Sequence, residues 1–92
     1  MNERELEADI KELAGVFHWQ YYHTWRSIHS AAGFPDVVMV RGNRLIFSEL
    51  KSEKAKVSPR QQEWLDALTE TDKVEVYLWR PSQWDEIVET LK

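Results

Sequence analysis

The fold is decided by residues 36–51, which read DVVMVRGNRLIFSELK. Two runs of β-prone residues, 36–41 and 44–51, stand on either side of the dipeptide Gly42-Asn43. Glycine at the first central position is typical of a two-residue type II′ turn. The stretch therefore predicts a hairpin of two antiparallel strands.

This turn fixes which residues face one another, because Arg41 must then pair with Arg44. Counting outward from that pair, Asp36 lies opposite Glu49. Directly opposed residues point to one face, with Cβ atoms about 4.5–5.5 Å apart. Lys51 lies on the same face, about 6.7 Å further along the strand than Glu49. The sequence therefore predicts that two carboxylates and an ammonium group meet at one end of the sheet.

Opposed carboxylates repel each other, and a hard divalent cation would offset that repulsion. We expect Asp36 and Glu49 to bind such a cation, which could activate a water molecule. Lys51 would position that water or stabilise developing negative charge. The alternative reading is a surface Glu-Lys pair beside an aspartate that only begins a strand.

Two helical residues add to this candidate site. Glu3 lies close to the apolar stripe of a predicted helix over residues 3–14, where it would contact the metal or a water. Fraying of the helix end is the alternative. Gln61 continues the apolar stripe of a second helix and is also the third residue after the predicted N-cap Ser58, so an inward amide and a capping box are compatible.

The remaining apolar patterns predict the other elements and their order. The first helix should end at Gly15, and Ser58 should open a helix that runs to about Thr69. The others are an irregular aromatic strand over 17–28, a strand over 74–79 and a last helix from about Ser82. The order α-β-β-β-α-β-α predicts an α/β fold, a mixed β-sheet flanked by helices, in a single domain over residues 1–92.

Composition excludes several classes of site. Without cysteine the chain has neither disulfides nor a thiolate metal site. The three histidines, His18, His23 and His29, lack the spacing of a zinc site, and a generic aromatic strand with polar neighbours explains them. No segment approaches the roughly 20 apolar residues that a membrane span needs, so we expect a cytoplasmic protein without membrane contact.

Charge is unevenly distributed along the chain. The net charge of −4 argues against binding nucleic acid by bulk charge alone. A short basic segment nevertheless follows the predicted lysine of the site, and a solvated surface is the alternative reading of it. We expect three of its residues to contact DNA: Lys54, Lys56 and Arg60.

Three runs of sequence resemble the VRR-NUC domain, the virus-type replication-repair branch of the PD-(D/E)XK nuclease superfamily. They are Gly33-Phe34-Pro35-Asp36, then Phe47-Ser48-Glu49-Leu50-Lys51, and then Ser58-Pro59-Arg60-Gln61-Gln62-Glu63-Trp64-Leu65. The resemblance covers nearly the whole chain and continues through residues 76–82. It implies a restriction-endonuclease-like fold.

The resemblance also implies roles for particular residues. It implies that Asp36 and Glu49 bind Mg²⁺ or Mn²⁺, with the backbone carbonyl of Leu50 as a further ligand, and that Lys51 is the catalytic lysine. The leading Glu of the family's first-helix motif falls on Glu3. The family's second-helix Gln falls on Gln61.

The activity implied by this resemblance is that of a structure-selective DNA endonuclease. Stand-alone members resemble Holliday-junction resolvases, so we expect a homodimer acting on branched DNA, in recombination or repair in a phage or bacterium. The five tryptophans exceed what a thin core needs and favour an apolar dimer contact. The alternatives are a nucleic-acid-binding module without turnover and a structural or oligomerisation protein.

Overall fold

A computed structural model describes residues 1–25 and 31–92. The elements follow the predicted order α-β-β-β-α-β-α. They are α1 (Glu3–Val16), β1 (Gln20–His23), β2 (Val37–Arg41), β3 (Arg44–Leu50), α2 (Pro59–Thr69), β4 (Glu75–Trp79), a 3₁₀ turn (Pro81–Gln83) and α3 (Trp84–Leu91). Of the predicted strand over 17–28, only residues 20–23 form a strand, since residues 17–19, 24 and 25 lie outside it. Residues 26–28, with His29, lie outside the described ranges.

The four strands form a mixed sheet in the order β1-β2-β3-β4. β1, β2 and β3 are antiparallel, and β4 runs parallel to β3. The β2–β3 register is the predicted one, from Arg41 opposite Arg44 to Val37 opposite Ser48. Gly42 has a φ of 61°, the sign that a type II′ turn needs at its first central position. The hairpin prediction is therefore confirmed.

The two faces of the sheet are covered by different helices. Val37, Met39 and Ile46 are fully buried in one cluster with side chains of α1 and α3. The opposite face carries α2, whose Trp64 packs edge-on against Phe34 with ring centroids 5.0 Å apart. Asp36 and Glu49 belong to this second face, because they lie one residue away in sequence from Val37 and the buried Leu50.

Helix α1 ends two residues later than the sequence predicts. Gly15 lies inside the helix, and His18 takes the left-handed position with φ 65°. The N–H groups of Trp19 and His18 donate to the carbonyls of Ala14, at 2.8 Å, and Gly15, at 3.3 Å. These two bonds form a Schellman motif. The expectation that Gly15 ends the helix is wrong because the chain reverses where Trp19 must enter the core.

Most of the tryptophan surplus is used by the fold itself. Trp19 and Trp79 are buried, while Trp64 and Trp84 are half-buried. Trp25 alone is exposed. The tryptophan count therefore gives much less support to a dimer contact than the sequence suggested.

Arg41 joins the helices at the two ends of the described chain. Its guanidinium donates to the carbonyl oxygens of Phe17 at 3.0 Å and Leu91 at 2.8 Å. It also lies 4.5 Å from the ring centroid of Trp19, whose indole N–H donates to the same Leu91 carbonyl at 2.8 Å.

No described helix is both long enough and apolar enough to cross a membrane.

Candidate active site

Asp36 stands where β2 begins, one step beyond the last β2–β3 pair. Its Oδ2 atom accepts a hydrogen bond of 2.9 Å from the backbone N–H of Leu50. This bond fixes the carboxylate against β3, next to Glu49. The arrangement follows from the hairpin register, as the sequence predicts.

Glu49 is almost fully buried, with 1% of its surface exposed. Its Oε2 atom accepts a hydrogen bond of 2.9 Å from Nε2 of Gln61 on α2. The ammonium group of Lys51 lies 3.6 Å from the same oxygen. Lys51 is also largely buried, so this pair is screened much less than a surface ion pair.

Burial and charge combine to raise the pKa of Glu49 to about 8. Loss of hydration is the largest cause, since it disfavours the charged carboxylate. The charge of Asp36, and a hydrogen bond that the protonated Glu49 donates to it, raise this pKa further, and the charge of Glu3 adds to them. Lys51 lowers it. The pair therefore favours one shared proton, or a cation in its place.

Gln61 fills both of the roles that the sequence left open. Its backbone N–H donates to Oγ of Ser58, and its side-chain oxygen accepts from the Ser58 N–H at 2.9 Å. The amide nitrogen is left to donate to Glu49. The capping box thus orients the amide, with its oxygen toward Ser58 and its nitrogen toward the buried carboxyl.

The loop before Asp36 is locked against the first turn of α2. Gly33 has a φ of 85°, and a Cβ atom built on it would lie 2.6 Å from the backbone carbon of Arg60. No side chain fits there, because real Cβ contacts are longer than 3.0 Å. Beside it, Phe34 packs edge-on between Phe47 and Trp64. These contacts set the distance between the Asp36 strand and the Gln61 helix.

On its other side, Asp36 is held by the residue that follows β1. The N–H of Thr24 donates to the Asp36 carbonyl at 2.8 Å. The Thr24 hydroxyl donates to the carbonyl of Pro35, also at 2.8 Å. The sequence did not identify Thr24, because nothing in an irregular aromatic stretch fixes the register of β1 against β2.

Two cavities flank Asp36, with volumes of about 390 and 570 Å³. Both are lined by Thr24, Trp25 and Asp36. The smaller cavity extends to Gln61 and Arg60, while the larger extends to residues of α1 that include Glu3. The site is therefore open to solvent on the Asp36 side and closed on the Glu49 side.

The predicted basic residues divide into two groups. Arg60 lines the smaller cavity. Lys54 and Lys56 are exposed on the loop between β3 and α2 and line neither cavity beside Asp36. Arg80 shapes this loop, because its Nη1 atom lies 2.7 Å from the carbonyl oxygens of both Ser52 and Ala55. No local sequence pattern predicted this role for Arg80.

Of the two described histidines, only His23 lies near the site, in the lining of the larger cavity with Asp36. His18 is exposed and serves the end of α1. His23 pairs with Glu7 on α1, at 3.1 Å.

The ligand atoms offered by the site are all oxygens. Within residues 1–25 and 31–92, no group of three or more His, Cys, Asp or Glu side chains is arranged to hold a metal. Asp36 and Glu49 supply two carboxylates, and backbone carbonyls and water would have to complete the shell. Mg²⁺ is commonly bound by one or two carboxylates and several waters, so this donor set fits it.

Comparison with known proteins identifies the family and the fold. The VRR-NUC domain model matches residues 4–83. A solved structure described as a VRR_NUC domain protein superposes with a TM-score of 0.75 at 14% sequence identity, covering 99% of this chain and 85% of that chain. No curated protein matches the sequence significantly. The match over most of its length shows that this chain belongs to the VRR-NUC domain family, with a nuclease-type fold.

Proposed function

We propose that this protein is a divalent-metal-dependent DNA endonuclease that acts on branched DNA. The observation that carries the proposal is the buried Glu49 carboxyl, set beside Asp36 with the Lys51 ammonium 3.6 Å away. A structural protein has no use for such a pair, since burying a carboxyl group beside another one opposes folding.

The proposed metal is Mg²⁺ or Mn²⁺, held by Asp36, Glu49 and the backbone carbonyl of Leu50. When bound, the metal supplies a Lewis acid for the phosphoryl oxygen and lowers the pKa of a bound water. The buried position of Glu49 is then explained, because a cation replaces the proton that the pair otherwise shares.

The remaining residues act on orientation and charge. Gln61 holds the Glu49 carboxyl in one direction through its amide N–H. Lys51 would stabilise the developing negative charge of the phosphate or position the attacking water. Glu3 lines the larger cavity together with Asp36, where it would contact a water. Arg60 borders the smaller cavity, where it would bind a phosphate of the substrate.

Dimer formation belongs to this proposal. One copy offers a narrow basic strip that includes Lys54, Lys56 and Arg60, on a chain of net charge −4. Two copies related by a two-fold axis would present two strips and two metal centres, which matches the symmetry of a four-way junction. Sedimentation equilibrium at micromolar concentration tests this, and a mass of 11.0 kDa throughout would exclude the dimer.

A cleavage panel tests the activity. The substrates are single-stranded, duplex, flap and four-way-junction DNA, each incubated with Mg²⁺, Mn²⁺ or Ca²⁺. We expect cutting with Mg²⁺ and Mn²⁺, faster on branched DNA than on duplex, and binding without cutting in Ca²⁺. Binding without cutting under every metal would instead identify a non-catalytic nucleic-acid-binding module.

A further inference from the structure

Trp25 is the most exposed large apolar side chain in the described ranges, with 76% of its surface accessible. The residue before it is held in place, because Thr24 makes two hydrogen bonds to the Pro35-Asp36 segment. The ring of His23 lies 6.3 Å from the indole, and His23 is itself held by Glu7. A single exposed apolar side chain is common on protein surfaces, so any functional reason for Trp25 must come from its position.

The position of Trp25 relative to the site gives that reason. Trp25 and Asp36 line both cavities, so the indole stands at the boundary between them. The smaller cavity carries one exposed arginine, Arg60, whereas in the larger cavity Arg4 stands among the carboxylates of Glu3, Glu7 and Asp36. Both volumes, about 390 and 570 Å³, lie within the range of roughly 300–1,000 Å³ that is usual for ligand sites.

We propose that Trp25 stacks on an unpaired base of the strand that is cut, next to the scissile phosphate. Arg60, in the smaller cavity, would bind a neighbouring phosphate. The inference rests on the proposed endonuclease function and deepens it by naming the feature of the substrate that is recognised.

An unpaired base is the occupant that this chemistry fits. Every base offers a π-face, so stacking on an indole holds a nucleotide without reading its sequence. In a paired duplex both faces of each base are covered by its neighbours, and exposing one requires unstacking. At a branch point or in a single strand that cost is small. Selectivity for branched DNA would then originate within one copy of the chain.

The test compares the DNA affinity of four forms of the full chain in Ca²⁺, where no cutting is expected. The forms are wild type, Trp25→Ala, Trp25→Phe and Tyr22→Ala. Tyr22 is the matched control, because it is an exposed aromatic residue that lines neither cavity beside Asp36. Each form is titrated with single-stranded, flap and fully paired duplex DNA of equal length.

Loss of stacking should weaken binding of single-stranded and flap DNA by about tenfold in Trp25→Ala. Duplex affinity should change by less than about twofold. Trp25→Phe should keep most of the affinity, since it keeps an aromatic face, and Tyr22→Ala should match wild type.

Three results would overturn the inference. Equal losses on all three DNAs would make Trp25 a general contact, and no loss would remove it from the interface. A fall from dimer to monomer mass in Trp25→Ala would show that a second copy covers the indole. Failure of wild type to bind any of the DNAs is a different outcome, because it would reject the endonuclease function itself.

Discussion

Glu49 shows at the scale of a single residue how a fold can hold a charge-bearing group that it does not need for stability. The carboxyl is buried, receives one hydrogen bond from Gln61, and shares its surroundings with Asp36. Its proton affinity is therefore raised, and a cation or a proton must accompany it. Removal of the Glu49 carboxyl should therefore lower activity and raise stability.

The first prediction concerns cleavage. Asp36→Asn, Glu49→Gln and Lys51→Ala should each lower the cleavage rate by more than roughly a hundredfold, because each removes charge from the metal site or from the phosphate. Glu63→Gln, an exposed change on α2, is the matched control and should cut like wild type. Rates are measured by single-turnover assays in Mg²⁺. Wild-type rates in any of the three variants would refute its role.

The second prediction concerns pH in metal-free protein. The folded-state pKa of Glu49, about 8, lies above its ordinary value of 4.5, so protonation favours the folded state. This contribution is complete below pH 4.5 and is lost as the pH rises through about 8. Urea unfolding in EDTA should therefore show stability falling between pH 5 and 9, while Glu49→Gln should flatten that dependence. A wild-type stability that stays level over this range would contradict the shift.

At this scale the sequence predicted the contacts that follow from local geometry. Hairpin register brings Asp36 opposite Glu49, and the capping position orients Gln61. Both depend on residues near each other in sequence. The burial of Glu49 could not be read in the same way, since it depends on how α2 lies across the sheet.

At the scale of elements, the contact between the Gly33 loop and α2 determines whether the site assembles. Gly33→Ala places a methyl group on backbone atoms of Arg60 and also forces a side chain into positive φ. We expect a loss of about 1–3 kcal/mol in stability, together with slower cleavage, because Asp36 and Gln61 move apart.

Gly42→Ala separates the effect of positive φ from the effect of the contact with α2. Gly42 also has positive φ, but nothing lies within 4 Å of a Cβ built on it. It should lose only the backbone part of the stability, about 1 kcal/mol, and retain cleavage. Thermal unfolding and cleavage rates of the two variants are compared. Equal behaviour would mean that the close approach to α2 has no consequence for the site.

At the end of α1, a substitution should raise the free energy of unfolding, whereas the two glycine substitutions lower it. His18 has a left-handed backbone conformation that is strained for histidine and unstrained for glycine. His18→Gly should therefore raise the free energy of unfolding by about 1 kcal/mol. His18→Ala keeps the strain and should give no gain. Chemical denaturation of both variants measures the free energy of unfolding. An equal gain in the alanine variant would mean that the effect comes from loss of the imidazole and not from relief of strain.

Some features of the elements could not be predicted because they depend on pairings between distant segments. The place of Trp25 beside Asp36 follows from the register of β1 against β2, which an aromatic-rich strand without a tight turn leaves open. The shape of the basic loop depends on Arg80, which lies after β4. Neither relation has a local pattern in the sequence.

For the whole molecule, the metal should act as part of the folding free energy. A cation that binds only the folded state adds RT ln(1 + [L]/Kd), or about 2.7 kcal/mol at a hundred times Kd. We expect Mg²⁺ and Mn²⁺ to raise the Tm of wild type and to leave Asp36→Asn nearly unchanged. The increase should be larger at pH 8.5 than at pH 6.5, because Glu49 must release its proton to bind metal. If neither metal changes the Tm of wild type, the proposed metal site is wrong.

The bonds to the Leu91 carbonyl have a consequence for how the chain is made. The Trp19 indole and the Arg41 guanidinium reach this carbonyl across 72 and 50 residues of sequence. Such distant contacts form only after a long loop has closed, which slows folding relative to a bundle of local helices. During synthesis, α1 and the hairpin emerge from the ribosome long before their partner. The part of this sheet face that α3 covers therefore stays exposed until α3 has been translated.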